Sequence, residues 1–240
     1  MCQACGCGDS NVVPVALNER ILAVNDRAAQ HNREHFRARG VCAINLMGSP
    51  GAGKTAVLEA TAHRLGRDAR IGVLAGDLAT DNDALRIRAA GLVAESITTG
   101  TACHLDAEMV HKGLHHLADW STFSYLFIEN VGNLVCPAVY DLGQDVNVVA
   151  LSVTEGEDKP LKYPTMFHKA DLVLLTKADL LPHLPGVRVA TIRENLAAVM
   201  PVPRMILLSS LTGEGMDEWA QWLTALRASQ AATHVAAGAR

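Results

Sequence analysis

Apolar residues recur along this chain in two rhythms. Short, nearly continuous apolar runs at 41–47, 70–75, 93–98, 125–128, 146–154 and 171–175, with a last one closing at Leu207-Leu208, have the length and density of strands buried on both faces. Between them apolar positions return every three or four residues. Val57, Leu58, Thr61 and Leu65 form one such set, and Leu105, Met109 or Val110, Leu114 and Leu117 another. Met216, Trp219, Leu223 and Leu226 make a closing helix. A longer helical stretch precedes the first strand, over 12–39, with Val13, Leu17, Ile21, Val24 and Ala28 on its apolar side. Pro14 suits its first turn and Gly40 its end. Strands alternating with helices predict an α/β fold, a mostly parallel sheet flanked by helices on both faces. The organisation expected is a cysteine-rich tail at 1–10, a helix at 11–40 packed on the main domain, that domain at 41–228, and a disordered small-residue tail from Ser229 to 240.

The join between the first strand and the next helix carries the strongest chemical signal. Gly48, Ser49, Pro50, Gly51, Ala52, Gly53, Lys54 and Thr55 complete the G-x-x-x-x-G-K-T phosphate loop, and Ala56 continues into the helix. Glycines let the backbone curl so that its N–H groups face a triphosphate at a helix N-terminus already favourable to anions. Lys54 is expected to neutralise the β- and γ-phosphates, and Thr55 to place its hydroxyl on Mg2+. The predicted architecture is therefore a P-loop NTPase. Asp77 ends the second strand, at the sheet edge where ligands bind, and is a further Mg2+ candidate. Asp81 and Asp83 are assigned to capping of the next helix. Glu129 and Gly132 follow the 125–128 run as an acid, two residues and a glycine. That is where GTPases hold Mg2+ through water and sense the γ-phosphate. Thr176-Lys177-Ala178-Asp179 is similar to the N-K-x-D guanine signature. Asp179 can accept from N1–H and the exocyclic amine of guanine, which adenine does not offer together. Lys177 then lies along the base, and Ser209 and Ser210 touch it from the last strand's end. Lys54, Thr55, Asp77 and Glu129 are thus the candidate catalytic set.

Composition narrows the class. The 240 residues are 49% hydrophobic and 19% charged, with net charge −4, and aromatics are 4%. That balance gives no electrostatic or stacking reason to expect nucleic acid. No stretch reaches the length of a membrane span, and the N-terminus lacks an apolar signal core. The expectation is a cytoplasmic protein whose six cysteines are reduced. Cys2, Cys5 and Cys7, interleaved with glycine, can wrap one soft ion such as Zn2+, Cu(I) or Ni2+, the α-amine of Cys2 being a possible fourth donor. Cys42 lies inside the first strand and is assigned as a small buried hydrophobe. Cys103, His104 and Cys136 sit at loop positions and are read either as buried cysteines or as ligands. His31 and His35, four apart, can hold a metal together but are assigned to a solvated helix face.

The cysteine tail, GSPGAGKT at 48–55, GDLATDND at 76–83, TGTACHLDAEM at 99–109, ENVGNLVCP at 129–137 and TKAD at 176–179 occur in this order over nearly the whole chain. Together they closely resemble the HypB family of GTPases that help deliver nickel to [NiFe]-hydrogenase. The resemblance implies a GTP/GDP-binding domain with Mg2+ and slow hydrolysis used as a switch. It also implies a GTP-dependent homodimer, with hydrogenase maturation proteins and the hydrogenase large subunit as partners. Two metal sites for Ni2+ or Zn2+ follow, one in the tail and one at Cys103, His104 and Cys136. The chain departs from the family pattern at Thr176 and in having no histidine-rich tract after the tail. Related accessory GTPases of the urease or cobalamin-enzyme type, and a metal buffer with a vestigial nucleotide site, are the competing readings. The paired ligand candidates argue against the first group, and intact Lys54 and Thr55 against the second.

Overall fold

The computed structural model describes residues 12–66, 69–78, 80–100 and 102–238, with the backbone alone described at 12–21 and 232–238. Seven strands form one sheet: β1 (Cys42–Gly48), β2 (Ile71–Asp77), β3 (Val93–Thr98), β4 (Tyr125–Glu129), β5 (Val146–Ser152), β6 (Leu172–Thr176) and β7 (Met205–Leu207). Their order across the sheet is β3-β2-β4-β1-β5-β6-β7, every pairing parallel. β1, β4 and β6 are buried along their whole length, which is why the sequence shows them as unbroken apolar runs. The helices are α1 (Val12–Arg39), α2 (Lys54–Leu65), α3 (Asn82–Ala89), α4 (Ala107–His116), α5 (Lys159–Lys162), α6 (Pro164–His168), α7 (Val189–Val199) and α8 (Met216–Gly238). No helix among the described residues is long and apolar enough to cross a membrane.

Separate apolar layers cover the two sheet faces. Val57 and Leu58 of α2 and Met216, Trp219 and Leu223 of α8 pack with Ile44, Leu46 and Phe127. The Trp219 indole donates to the Thr61 hydroxyl at 2.9 Å, which locks α8 onto α2 without leaving a buried N–H unpaired. On the other face Phe36 of α1 meets Val110 and Leu114 of α4, while Met166, Phe167, Ile192 and Leu196 cover β5 and β6. α5, α6 and α7 fall in a stretch for which the apolar rhythm assigned no helix. They are short and begin at or beside Pro160, Pro164 and Arg188, so no long periodic run betrays them.

Three local expectations are corrected. The last strand of the sheet's centre stops at Ser152, and 153–155 turn as a 3-10 helix closed by a Ser152–Glu155 capping box. The tail expected to begin at Ser229 instead continues α8 to Gly238. The buried face of α1 is also rotated: Val24 is 56% exposed and Ala28 only half-buried, while Asn25, Ala29, Asn32 and Phe36 are buried. Val13, Leu17 and Ile21 lie outside the described side chains. Apolar periodicity missed this face because half of it is asparagine. The Asn25 carboxamide donates to Asp141 O at 2.8 Å and accepts Ala107 N–H at 2.9 Å. Asn32 donates to Ala107 O at 2.8 Å and Leu142 O at 3.1 Å. These bonds satisfy backbone groups at the start of α4 and in the 141–142 loop that would otherwise be buried unpaired. The helix then stops at Gly40, whose φ of +63° lets Val41 N–H return to Phe36 O at 3.1 Å.

Asn32→Ala therefore strands two backbone carbonyls under α1. It should cost about 1–3 kcal/mol in urea unfolding, whereas Val24→Ala should change stability by less than about 0.5 kcal/mol. Equal effects of the two substitutions would contradict this docking face.

Candidate nucleotide and metal sites

β1 delivers the phosphate loop at the carboxyl edge of the sheet, between β4 and β5. A cleft of about 450 Å3 opens there, lined by the loop, Asp77, Asp83 and Glu129 to Gly132. Lys54 is buried, and its ammonium donates to Gly48 O and Ser49 O, both at 3.3 Å. Burial lowers its pKa, opposed by the charges of Glu129 and Asp83. Folded back on its own loop, Lys54 stands at the entrance a phosphate would take. Ala52 is buried, and Gly51 and Gly53 have φ of +75° and +94°, the left-handed turns that curl the loop, while Ala52 N–H closes back on Ser49 O at 3.1 Å. Ser49 is held by the Glu155 carboxylate at 2.5 Å. Ala56, half-buried, follows in the first turn of α2 and borders the same cleft.

Thr55 brings together more acids than expected. Its hydroxyl lies 2.8 Å from Glu129 Oε1 and 3.0 Å from Asp83 Oδ1. One hydroxyl proton cannot serve two carboxylates, and Glu129 Oε2 is buried with no partner. Burial pushes the Glu129 carboxyl up to about 7, against the pull of Lys54 and the Thr55 hydrogen bond. An oxygen cluster holding one carboxylate oxygen without a partner, beside a phosphate loop, fits a hard divalent cation such as Mg2+. Asp83 is thus a site residue that sequence reasoning placed in a cap. Its spacing six residues after Asp77 was the only available signal, and it became legible once α3 packed beside α2. Asp81 does occupy the N-cap of α3, with no side-chain hydrogen bond to it. Asp77 is not joined to Thr55. Its carboxylate accepts from the Thr80 hydroxyl, which together with the Leu78 and Thr80 N–H groups lowers its pKa.

At the far side of the cleft, Lys177 has φ +61°, an uncommon conformation for a non-glycine residue, and its ammonium donates to Gly51 O at 2.7 Å. Asp179 accepts from the Ser209 hydroxyl at 2.5 Å, and Ser209 also accepts the N–H groups of Leu211 and Thr212. Ser210 lines an adjoining groove with Ala56, Glu59 and Arg86. Thr176, standing where the signature has Asn, donates to Ala52 O at 2.6 Å and so ties the base loop to the phosphate loop.

Cys103, His104 and Cys136 converge, with one ligand atom from each lying within 4.8 Å of the others. The two sulfurs are 2.9 Å apart, and Cys103 Sγ is 3.9 Å from His104 Nδ1. Cys103 and His104 lie in the loop that leads into α4, whose N-cap Asp106 accepts Met109 N–H at 2.7 Å. His104 stacks on Tyr140 at 3.8 Å, and burial lowers its pKa, favouring the neutral imidazole. The hydrogen bond from Cys103, then burial, raises Cys136, so a thiophilic ion would displace protons here. All three residues are half-buried, and two thiolates with one imidazole suit Zn2+ or Ni2+ with a position left open. Cys42 is fully buried with its thiol pushed up to about 12, an inert core residue. Cys2, Cys5 and Cys7 lie outside the described residues.

Asn130, which sequence reasoning passed over, links these sites. Its carboxamide donates to Asn45 Oδ1 at 3.1 Å and accepts Leu105 N–H at 3.2 Å. Asn45 in turn donates to Asn147 Oδ1 at 3.0 Å. A buried amide chain therefore runs from β5 through β1 to the backbone beside His104. Two residues beyond Asn130, Gly132 lies so close to the phosphate loop that a Cβ there would stand 2.9 Å from Pro50.

Comparison with known proteins bears on this geometry. Residues 42–204 match the family model "CobW/HypB/UreG, nucleotide-binding domain". The chain is 51% identical over 214 residues to hydrogenase maturation factor HypB of Azotobacter vinelandii, covering 89% of this chain and 70% of that protein. This chain belongs to the HypB family. It is also 42% identical over 212 residues to the hydrogenase/urease maturation factor HypB of Helicobacter pylori, covering 87% of this chain and 86% of that one. The crystal structure of HypB from Helicobacter pylori in complex with nickel superposes with a TM-score of 0.81 at 40% identity, covering 85% of this chain and 95% of the other. The α/β fold predicted from apolar rhythm is the fold of this family, and the HypB resemblance read from its motifs holds.

Burial of Glu129 makes a pH prediction. Its folded pKa of about 7 lies above its ordinary 4.5, so the free protein loses stability as pH rises through that window. Glu129→Gln should remove the loss, raising stability at pH 8 by about 1–3 kcal/mol with no difference below pH ~4.5. The same substitution should weaken Mg2+-dependent nucleotide binding at least about tenfold. Parallel pH–Tm curves for the two proteins would show that Glu129 is not the titrating group.

Proposed function

We propose that this chain is a slow GTP hydrolase that binds Ni2+ and uses the nucleotide state to control it during [NiFe]-hydrogenase maturation. The observation that carries the reading is the shared loop: Glu129, Asn130, Gly132 and Cys136 follow one another from the end of β4. It bears the acid beside Thr55, the residue against Pro50 and a metal ligand. Lys54 and the loop N–H groups would neutralise charge developing on the β- and γ-phosphates as water attacks. Mg2+ held by Thr55 and Glu129, with Asp83 and Asp77 alongside, would add charge stabilisation when bound. Among the described residues no side chain in the cleft stands out as an obligatory base, which suits a switch more than a fast catalyst. Asp179 selects guanine, its hydrogen bond to Ser209 holding the carboxylate in position.

Three protein ligands leave a metal site incomplete, and a two-fold homodimer supplies equivalents from the partner. Val135 and Val139, exposed on either side of Cys136, give this face apolar contact area. A γ-phosphate contacting Gly132 would shift the loop, and through Asn130 and Cys136 both the metal geometry and the dimer contact. By linkage, metal across the interface must favour the GTP-loaded dimer by the same coupling free energy. Ni2+ is cargo in this reading, Zn2+ its competitor, and Cys2, Cys5 and Cys7 form a second nickel site. Hydrogenase maturation proteins and the hydrogenase large subunit are the partners, and the cytoplasm the compartment. Service to urease instead is a second reading, favoured by the dual name of the Helicobacter pylori relative.

Sedimentation with GDP or a non-hydrolysable GTP analogue, with and without Ni2+, tests the coupling. Wild type should dimerise with the analogue and bind Ni2+ more tightly in that state, and Asn130→Ala should reduce the coupling while leaving each affinity measurable. Nickel affinity independent of nucleotide and of protein concentration would leave two unconnected sites. Base choice is tested separately. Asp179→Asn should lose GTP affinity and gain xanthosine triphosphate, whose carbonyl accepts from an amide. Equal displacement of labelled GDP by ATP and GTP from wild type would end the guanine assignment.

A further inference from the structure

Outside the sites above, four histidines gather where α1 packs on α4. His31 and His35 are i, i+4 on α1, and His111 and His115 are i, i+4 on α4, so each pair shares one helix face. Ring centroids of His31 and His35 are 4.2 Å apart, of His31 and His111 5.0 Å, of His35 and His111 5.8 Å, and of His111 and His115 4.8 Å. Imidazoles bound to one tetrahedral ion at ~2.0 Å have centroids about 5 Å apart. His31, His35 and His111 thus have the mutual spacing of a ligand set, and His115 joins it through His111. His111 Nε2 and His115 Nε2 lie 3.3 Å apart, about the edge of the tetrahedron such bonds define.

Two further observations point to a ligand. His111 Nδ1 is buried without a hydrogen-bond partner, an uncompensated polar atom inside the cluster. No carboxylate forms an ion pair with any of the four rings among the described residues. Burial, followed by the neighbouring rings, lowers the pKa values of His35 and His111, which favours the neutral, ligating form of the ring. The rings also have mechanical support. His35 stacks on Trp120 with centroids 6.4 Å apart and planes 9° apart, and the asparagine bonds described above fix α1 against α4. His31 and His115 remain exposed, giving an ion a way in.

We propose that His31, His35, His111 and His115 form an additional metal site, imidazole-only, for a late first-row divalent cation such as Ni2+ or Zn2+. As the rings stand their nitrogens do not converge, the one group among the described residues whose ligand atoms all lie within 4.8 Å of one another being Cys103, His104 and Cys136. Binding therefore requires rotation of the rings about their Cβ–Cγ bonds. The site lacks thiolates, so it differs from the cysteine sites in softness and exchanges ions more readily. It stands on the same helix that begins three residues after His104, His111 being about 6 Å of helix rise beyond Ala107. An ion held here would bridge α1 to α4, and α4 carries the Cys103-His104 loop at its start.

The test is metal titration of the full chain, with Cys2, Cys5, Cys7, Cys103 and Cys136 changed to Ser so that thiolate sites are silent. One equivalent of Ni2+ should bind per chain, without thiolate charge-transfer absorbance and with broadening of imidazole proton signals. The Tm should rise as Ni2+ is added. His111→Gln and His115→Gln should each weaken binding at least tenfold, and so should His31→Gln or His35→Gln on the other helix. In the cysteine-intact protein, the same His→Gln changes should remove one equivalent and leave the thiolate bands unchanged, which keeps the test valid if the fivefold variant folds poorly. Binding lost only with the α4 substitutions would mean an ordinary two-histidine chelate and overturn the interhelical site. Uptake unchanged by all four substitutions would overturn it entirely.

Discussion

The parallel pairing of β1 with β4 is the constraint from which the chemistry follows. In that register Leu46 faces Glu129, so both strands end at the same edge of the sheet. β1 runs out into the phosphate loop, and β4 into the loop bearing Asn130, Gly132 and Cys136. Shifting the register by one residue would turn every side chain on β4 to the opposite face. Glu129 would leave Thr55, and Asn130 would leave Asn45. The apolar faces of both strands are wholly buried, and this burial fixes the register.

Against that rigid edge the polar groups are few and costly, and each has a function in the geometry. The amide chain from Asn147 through Asn45 and Asn130 to Leu105 N–H crosses the sheet in a low-dielectric interior. A member left without its partner would incur a desolvation penalty. The chain therefore transmits position well, since it is stable only in arrangements that keep every bond. Glu129 is the contrasting case. Its second oxygen has no partner and its carboxyl is pushed up to about 7, an electrostatic cost that the proposed cation would relieve. The carboxylate beside Thr55 and one member of the amide chain are thus consecutive residues, Glu129 and Asn130, at the end of one strand.

α1 shows how docking polarity differs from docking area. An all-apolar face would hold this helix in many azimuths, whereas Asn25 and Asn32 accept only the one that meets Ala107, Asp141 and Leu142. That single azimuth also brings His31 and His35 against His111. A helix rotated to bury Val24 would carry them away. The identity of a buried polar residue therefore fixes the exposed chemistry on the opposite edge of the same helix.

How much of this was legible in the sequence depends on the range over which the physics acts. The strands, the phosphate loop and the order of the motifs are set by local alternation of apolar and polar residues and by spacing within a few residues, so sequence alone determined them. It also singled out Glu129 and Asp179 by their offsets from strand ends, whereas Cys103, His104 and Cys136 stood out as a ligand set only through the family resemblance. The tertiary structure alone decided which carboxylate faces Thr55. Asp83, a cap by local rules, reached it through helix packing, and Asp77 turned toward Thr80. It alone turned α1, because buried asparagines carry no apolar signal. It alone assembled the histidine cluster, since His31 and His111 are 80 residues apart and nothing local records that they meet. Local chemistry wrote the fold and the motifs, and only side-chain packing between distant segments chose their partners.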